Sequence, residues 1–458
     1  MGTSDIFVVP IADKVLIYAP LQDFSALVNR AAAEALRNAI ISGQTVAAAM
    51  APVLSALREA PLPRPQKRSG PLREPLFLGI LPTRGCNMGC RYCDFLASDH
   101  QVMPLETAKN AVDAYLNLLS DQAIDHGAIH FFGGEPFYAP DVVAFTVEYA
   151  RLAGKRRKID LHFEVVTNGL YSKTIAEWIA QNIDSVVLSF DGMPEAQNIL
   201  RPHRNGTPSF ETVFNNARIF SQGSCELVIR SCVSQANIDT LMDWADFILK
   251  NLIPVAVCLE PMIETTVARA NQLSPVESMK FVRNFLEAAD LLTQHGIPAV
   301  YSTAEIHALK GSVCPLGQDA LIVTPEGAVN ACYQIEQQWL SAGLDYRLGT
   351  VSADGFQIPA ERVAAIRENH VDGKSLCTGC FCRHHCAGGC PIVHSTDLAA
   401  GSYDEYCVQT RMITAATLLT ELGQRELRDR WLADDNSFAA IAISVDDRII
   451  ADAEMRAG

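Results

Sequence analysis

The chain has 458 residues, 49% apolar and 19% charged, a composition that buries a large core and excludes a disordered polypeptide. Its 37 basic residues against 52 acidic ones leave a formal charge of −15, a field that repels phosphate backbones and anionic lipid and so argues against nucleic acid or a membrane surface as partner. No apolar run reaches the roughly 18 residues of a membrane span. The first residues lack a basic start and carry Asp5 and Asp13, unlike a signal peptide, so a cytoplasmic location is expected.

Residues 5–20 read as two short strands, IFVVP and VLIYAP, around an Ala-Asp-Lys turn. An Ala-rich helical pattern follows from about Asp23 to Ile41, and after the turn SGQT a second helix spans Val46–Arg58. These elements make a small module at 1–60. Residues 61–75, PLPRPQKRSGPLREP, hold five prolines among basic residues, which is linker composition. From 76 to 300 strand and helix signals alternate. The strands are LFLGIL (Leu76–Leu81), AIHFF (Ala128–Phe132), LHFEVVT (Leu161–Thr167), VVLSF (Val186–Phe190), LVIRSCV (Leu227–Val233) and PVAVCLE (Pro254–Glu260). Six such units, with strands this apolar, predict an α/β fold with a parallel sheet closed or partly closed by outer helices. Its chemistry belongs at the C-terminal strand ends. A loop-heavy, Cys-rich region at 301–410 follows. Residues 411–458 finish with a helical pattern, which begins at about Val408 and runs to Asp434, and a short strand, IAISV.

Fourteen cysteines are too many for chance in a reducing compartment, where clustered Cys point to metal or catalysis. Cys86, Cys90 and Cys93 share one loop after the first strand, in CNMGCRYC. Three thiolates at this spacing can wrap a [4Fe–4S] cube and leave one iron without a protein ligand; a structural zinc completed from elsewhere fits the spacing too. The next strands end in FFGGEP (Phe131–Pro136), TNG (Thr167–Gly169) and SFDG (Ser189–Gly192). The paired glycines permit close backbone approach to a ligand and leave Glu135 aimed at an amine. Polar tips on four successive apolar strands form a site.

CxxxCxxC with GGEP downstream resembles the radical SAM superfamily over Leu76 to about Glu260. The resemblance implies a partial (β/α)6 barrel with a catalytic [4Fe–4S] cluster on Cys86, Cys90 and Cys93. It also implies bound S-adenosylmethionine, cleaved to a 5′-deoxyadenosyl radical that abstracts hydrogen. Matched by position, Gly133, Gly134 and Glu135 contact the methionyl amine, Ser189 and Asp191 the ribose, and Tyr92 lies near the adenine. Asn168 belongs to the same cofactor-binding set, and Arg230, in mid-strand, either pairs the carboxylate or is a solvated residue.

The later spacing, Cys314-x12-Gly327-x4-Cys332, then Cys377-x2-Cys380-x5-Cys386-x3-Cys390, then Cys407, is similar to the SPASM domain at all seven positions. It implies two auxiliary [4Fe–4S] clusters, three clusters in all. Cys314, Cys332 and Cys390 fall on one, Cys377, Cys380, Cys386 and Cys407 on the other. The first would keep an iron open or closed by a side chain such as Asp319; Cys382 is extra and reads as a packed thiol. Two structural zincs are the alternative. Sulfatase maturases share this architecture but place an acidic residue directly after the second of these cysteines. Tyr333 stands there instead and is the candidate general base. The 1–60 module resembles the winged-helix-like peptide-recognition element of peptide-modifying radical SAM enzymes, with a strand edge able to pair a leader peptide; a cap on the barrel is the alternative. The resulting expectation is a maturase that crosslinks side chains (C–C, C–O or thioether) of a ribosomally made precursor peptide, reduced by a flavodoxin or ferredoxin. Its rivals are sulfatase-maturase-like oxidation of a Cys or Ser side chain, peptide epimerisation, and a zinc-stapled scaffold without activity.

Overall fold

The computed structural model describes residues 5–95, 100–314, 316–394, 403–443 and 446–449. These fall into two compact units. One combines residues 1–67 with 302–313 and 369–458, the other residues 68–301 with 314–368.

The first unit opens with an antiparallel sheet of β1 (Phe7–Ile11), β2 (Lys14–Ala19) and β3 (Phe24–Asn29), in that order. The third strand lies where the Ala-rich pattern predicts the start of a helix. Asp23 turns the chain at φ +48°, FSALVN pairs with β2, and only then does Asn29 accept the Ala32 amide at 2.8 Å and start the helix Arg30–Ser42. Gly43, at φ +72°, ends that helix. Val15, Ile17, Val28, Leu36, Leu54, Leu57 and Ile449 form the core beneath the sheet. Ile449 is there because residues 447–449 close the outer edge of β1: the Val8 amide donates to Asp447 O at 2.6 Å and the Ile449 amide to Ile6 O at 2.8 Å. β3 forms the opposite edge of the sheet.

Polar contacts bind the same sheet to the short helix Arg383–Cys386. Asp5, 2% exposed, lies 3.0 Å from His384 Nε2 and pairs with Arg64, while Arg383 approaches at 3.9 Å. Burial alone would raise its pKa, but His384 and Arg64 together hold the carboxyl below its usual value. The Tyr18 hydroxyl bonds His385 Nε2, whose Nδ1 lies 3.0 Å from Ala308 O.

The single helix expected to run from Val408 to Asp434 is two, Glu405–Glu421 and Arg425–Ala433, broken at Gly423 with φ +71°. The expected strand IAISV is corrected as well. Residues 441–443 finish a helix, Asp435–Ile443, that packs on Glu405–Glu421; residues 444–445 lie outside the described residues. Alternating Ile and Ala carry a strand-like period, but burial of Ile441 against a neighbouring helix decides the outcome.

In the second unit an eleven-stranded sheet carries the predicted α/β architecture. Its strands are β4 (Leu78–Ile80), β5 (His126–Phe131), β6 (Asp160–Thr167), β7 (Ser185–Ser189), β8 (Glu226–Val233), β9 (Ala256–Pro261), β10 (Ala299–Val300), β11 (Leu321–Val323), β12 (Ala328–Asn330), β13 (Arg347–Ser352) and β14 (Gly355–Gln357). The order is β10-β9-β8-β7-β6-β5-β4-β11-β12-β13-β14, parallel from β10 to β11 and antiparallel beyond. β4 to β9 are the six expected strands of the partial barrel. Ile129, Phe131, Phe163, Val165, Val186, Leu188 and Ile229 are fully buried on the helix-covered face. The alternate residues, among them Ala128, His130, Glu164, Val166, Val187 and Ser189, are half-buried along the inner wall. The parallel core thus reads apolar on one side and mixed on the other.

Asp5→Ala leaves buried His384 without its carboxylate and takes from Arg383 the more distant of its two. It is expected to destabilise the first unit by about 1–3 kcal/mol, read as a lower Tm and faster proteolysis near 378–386. An unchanged Tm would show the network to be idle.

Candidate active site

The loop after β4 carries Cys86, Cys90 and Cys93, and residues 200–204 hold it from behind. The Gly89 amide donates to Pro202 O and the Arg91 amide to Leu200 O, both at 2.9 Å, while Met88, 0% exposed, bridges His203. The three thiols are close enough to feel each other's charge: Cys90 acts on Cys86, Cys93 on Cys90, and Cys86 on Cys93. Burial, reinforced by that repulsion, pushes the Cys86 and Cys90 thiols up to about 12. Three thiols on one loop, near enough to act on one another, are a donor set of the kind an iron–sulfur cube takes.

Gly133 and Gly134 receive a specific explanation. A Cβ on Gly133, at φ +139°, would lie 2.6 Å from Thr83 O, and one on Gly134 only 2.2 Å from Gly85 O. The Gly134 and Glu135 amides donate to Thr83 O and Gly85 O at 3.2 and 2.8 Å. The glycines therefore let the end of β5 lie directly on the backbone leading into Cys86. Glu135, 1% exposed, turns inward: Oε1 accepts the Thr167 hydroxyl (2.8 Å) and the Phe137 amide (3.1 Å), and Oε2 the Asn168 amide (2.7 Å). Burial raises this carboxyl to about 7 despite those donors. Asn168 passes the arrangement on, its Nδ2 reaching Asn87 Oδ1 at 2.9 Å and Cys86 Sγ at 3.5 Å.

Tyr92 and Asp191 meet. The Tyr92 hydroxyl donates to Asp191 Oδ2 at 2.5 Å and accepts from Arg201, whose guanidinium lies 3.9 Å from the same carboxylate. Asp191 Oδ1 accepts the Cys232 amide at 3.1 Å, and Gln197 and Asn237 hold its main chain. Ser189 and Arg230 are register partners on β7 and β8, and neither side chain makes a hydrogen bond or ion pair among the described residues. Arg201 escapes sequence reasoning: one Arg between Leu200 and Pro202 carries no period or motif. It is nonetheless the buried cation that lowers the pKa of all three loop thiols, and its Nε lacks a hydrogen-bond partner among the described residues.

The inner wall holds another pair that the sequence does not announce. His130 Nδ1 lies 3.3 Å from Glu164 Oε1, and the His130 ring stacks on Phe77 at 4.1 Å. Burial pushes the imidazole down to about 4 and the carboxyl up. Tyr333 joins this wall against Phe77 (5.8 Å) and Phe132 (4.6 Å), and burial raises its phenol well above 10.

Cys314 and Cys332 belong to the barrel unit; Cys377, Cys380, Cys386, Cys390 and Cys407 belong to the other. Among the latter, Cys380 perturbs Cys377, both perturb Cys386, and Cys386 and Cys380 perturb Cys407, so these four thiols share one neighbourhood. Cys382, 1% exposed, hydrogen-bonds Cys380, and with Arg411 it brings the Cys380 thiol down to about 6. His394, also missed, places Nδ1 3.0 Å from Asp404 Oδ2 and 3.5 Å from Cys407 Sγ. Asp319 is paired with Arg367 and Arg68.

Gly134→Ala should force the end of β5 off the cysteine loop, since its Cβ meets backbone oxygen. The expected result is loss of about four iron per chain after anaerobic reconstitution with little change in helix content. Full iron loading would refute the close-contact argument.

The family description "Radical SAM superfamily" matches residues 80–248. An uncharacterized protein of Methanocaldococcus jannaschii is 30% identical over 168 residues, spanning 36% of this chain and 56% of that protein. A cysteine-type anaerobic sulfatase-maturating enzyme of Clostridium perfringens (strain 13 / Type A) is 25% identical over 348 residues, 69% of this chain and 89% of its own. Among solved structures, native anSMEcpe with bound AdoMet and Cp18Cys peptide superposes with a TM-score of 0.59 at 21% identity, covering 79% of this chain and 100% of that one. With its thiol-bearing loop and strand-end contacts, residues 80–248 form a radical SAM domain, which marks the chain as an S-adenosylmethionine-dependent enzyme; a cysteine-rich C-terminal region follows that domain.

Proposed function

We propose that this enzyme modifies a ribosomally synthesised precursor peptide, joining side chains through a C–C, C–O or thioether bond. The observation that carries the reading is the N-terminal sheet, one edge of which is closed by residues 447–449 while β3 forms the other edge. A strand edge on a small module is a place where an extended leader can add by main-chain hydrogen bonds. In this reading Cys86, Cys90 and Cys93 hold the catalytic cluster, and the seven later cysteines hold two auxiliary clusters. Bound S-adenosylmethionine supplies, on reduction by a flavodoxin or ferredoxin, the radical that abstracts hydrogen. Around it the chain's own groups orient and exclude water. Glu135 offers a fixed carboxylate to the methionyl amine, held by Thr167, Phe137 and Asn168. Ser189 and Arg230, register partners on adjacent strands, would serve ribose and carboxylate. Asp191, tethered through Tyr92 and Arg201, orients the ribose side. The charge of −15 fits a peptide partner and not nucleic acid. Among the described residues, no helix is long and apolar enough to cross a membrane.

The similarity to the clostridial sulfatase-maturating enzyme favours one rival, oxidation of a single Cys or Ser side chain to an aldehyde. Anaerobic turnover with a candidate precursor peptide separates the two. A crosslink appears as loss of about two hydrogens with no reaction toward a hydrazide probe, an aldehyde as a hydrazide adduct. In the same mixture the leader should slow amide exchange in Phe24–Asn29; unaltered exchange there would remove the leader from β3.

Glu135 also predicts a pH dependence. Its pKa, raised to about 7, makes the ligand-free fold most stable when it is protonated. That contribution is present below about 4.5 and is lost as pH rises through 7. A bound ammonium group favours the carboxylate, so affinity for S-adenosylmethionine should rise up to about tenfold per pH unit between pH 5 and 7 and then level off. Calorimetry at pH 6 and 8 in the wild type and in Glu135→Gln checks this: the variant should bind weakly with a flat profile, and an equally steep profile in both would assign the titration elsewhere.

A further inference from the structure

Arg411 lies on the helix Glu405–Glu421, one turn beyond Cys407, and is 1% exposed. Its Nε donates to Ile441 O at 3.2 Å and its Nη2 to Asp447 Oδ1 at 3.0 Å. Nη1 divides itself between Asp447 Oδ2, at 2.6 Å, and Cys380 Sγ, at 3.2 Å. The rings of Phe381 and Tyr403 stand 4.9 and 4.3 Å from its Cζ. Asp447, also 1% exposed, is fixed in turn: its Oδ2 accepts the Phe381 amide at 3.2 Å and its own amide donates to Gly379 O at 2.8 Å. The ion pair is therefore built around the Cys377–Cys380 turn.

A fully buried ion pair is an expensive way to fill space, because apolar side chains of equal volume usually do as well. Its retention here asks for a role beyond packing. A guanidinium donor serves a thiolate, the form in which Cys380 would bind iron. An N–H···S hydrogen bond with positive charge behind it favours the cluster state that holds one more electron.

We propose that Arg411, oriented by Asp447, sets the reduction potential of the iron–sulfur cluster on Cys377, Cys380, Cys386 and Cys407, raising it through the hydrogen bond to the Cys380 sulfur. Arg411 is thus a positioning residue that acts through Cys380, and the inference rests on the auxiliary-cluster reading above. Asp447 moderates the effect by neutralising part of the charge while keeping the guanidinium turned toward sulfur.

The test uses full-length protein reconstituted anaerobically, with potentiometric titration followed by EPR. Arg411→Met/Asp447→Leu removes the pair together, a replacement that buried pairs tolerate, and Asp447→Asn keeps the cation without its counter-charge. With iron content equal to wild type, the double variant should lower the reduced-to-oxidised ratio at fixed potential by at least about tenfold, ~59 mV for a one-electron couple. Asp447→Asn should move it the other way; if that variant does not accumulate, the double variant alone decides. Identical midpoints overturn the proposal, as does a double variant that loses about four iron, since the pair would then be a structural strut. Wild-type protein that binds only about four iron would overturn the auxiliary-cluster reading itself, whereas unmoved potentials in fully loaded protein overturn only the role of Arg411.

Discussion

Two stretches of backbone, Gly133–Glu135 and Thr83–Gly85, lie closer together than a side chain at Gly133 or Gly134 would permit. Most of the candidate site depends on that contact. It sets how far the cysteine loop stands from the sheet, and it aims Glu135 across to the end of β6, where Thr167 and Asn168 receive it. From Asn168 the chain of contacts returns through Asn87 to the loop it started from. The site is thus a closed circuit of short-range polar contacts on a rigid parallel sheet, the arrangement that keeps a reactive centre within tenths of an ångström. No single strand could enforce it.

The polar residues that complete this circuit are short amides, Asn87, Asn168, Gln197, Asn216 and Asn237. They are partly or fully buried, and each spans two backbone segments or ties backbone to a functional side chain. An amide offers both donor and acceptor without a charge to desolvate, which suits joints between loops that must close over a cofactor. Charges are reserved for a few places. Arg201 faces the three thiols, and Arg411 faces Cys380; in both cases a cation stands where iron-bound sulfur would gather negative charge.

What could be read from the amino-acid order follows from how local each signal is. Runs such as LHFEVVT and VVLSF identify buried parallel strands because four apolar residues in so short a run leave few alternatives, and GGE, TNG and DG mark their ends with residues that ordinary strands avoid. β3 was hidden because FSALVN sits beside RAAAEAL, where helix propensity dominates any window that includes both; the single decisive residue is Asn29 at the cap. Pairings across long separations left no trace at all. Nothing near Asp5 announces His384, and nothing in Tyr18 announces His385. Arg201 and His130 are isolated polar residues whose meaning arises only once the sheet brings Tyr92 and Glu164 alongside. The two glycines also make room for the chain's own loop, a contact that GGEP does not announce.

The closing of β1 by residues 447–449 has a consequence for biosynthesis. The partner of the first strand emerges from the ribosome some 440 residues later, which at about 5–20 residues per second is a delay of roughly 20–90 seconds. Through that interval one edge of the N-terminal sheet is bare, while the barrel, whose strands pair mostly with near neighbours, is free to fold. The sheet reaches its final form only after the Cys377–Cys407 region has been made, because Asp5 and Tyr18 need His384 and His385. A nascent chain therefore cannot complete its N-terminal sheet before its last cysteine has been translated, so the first element made is among the last to be finished.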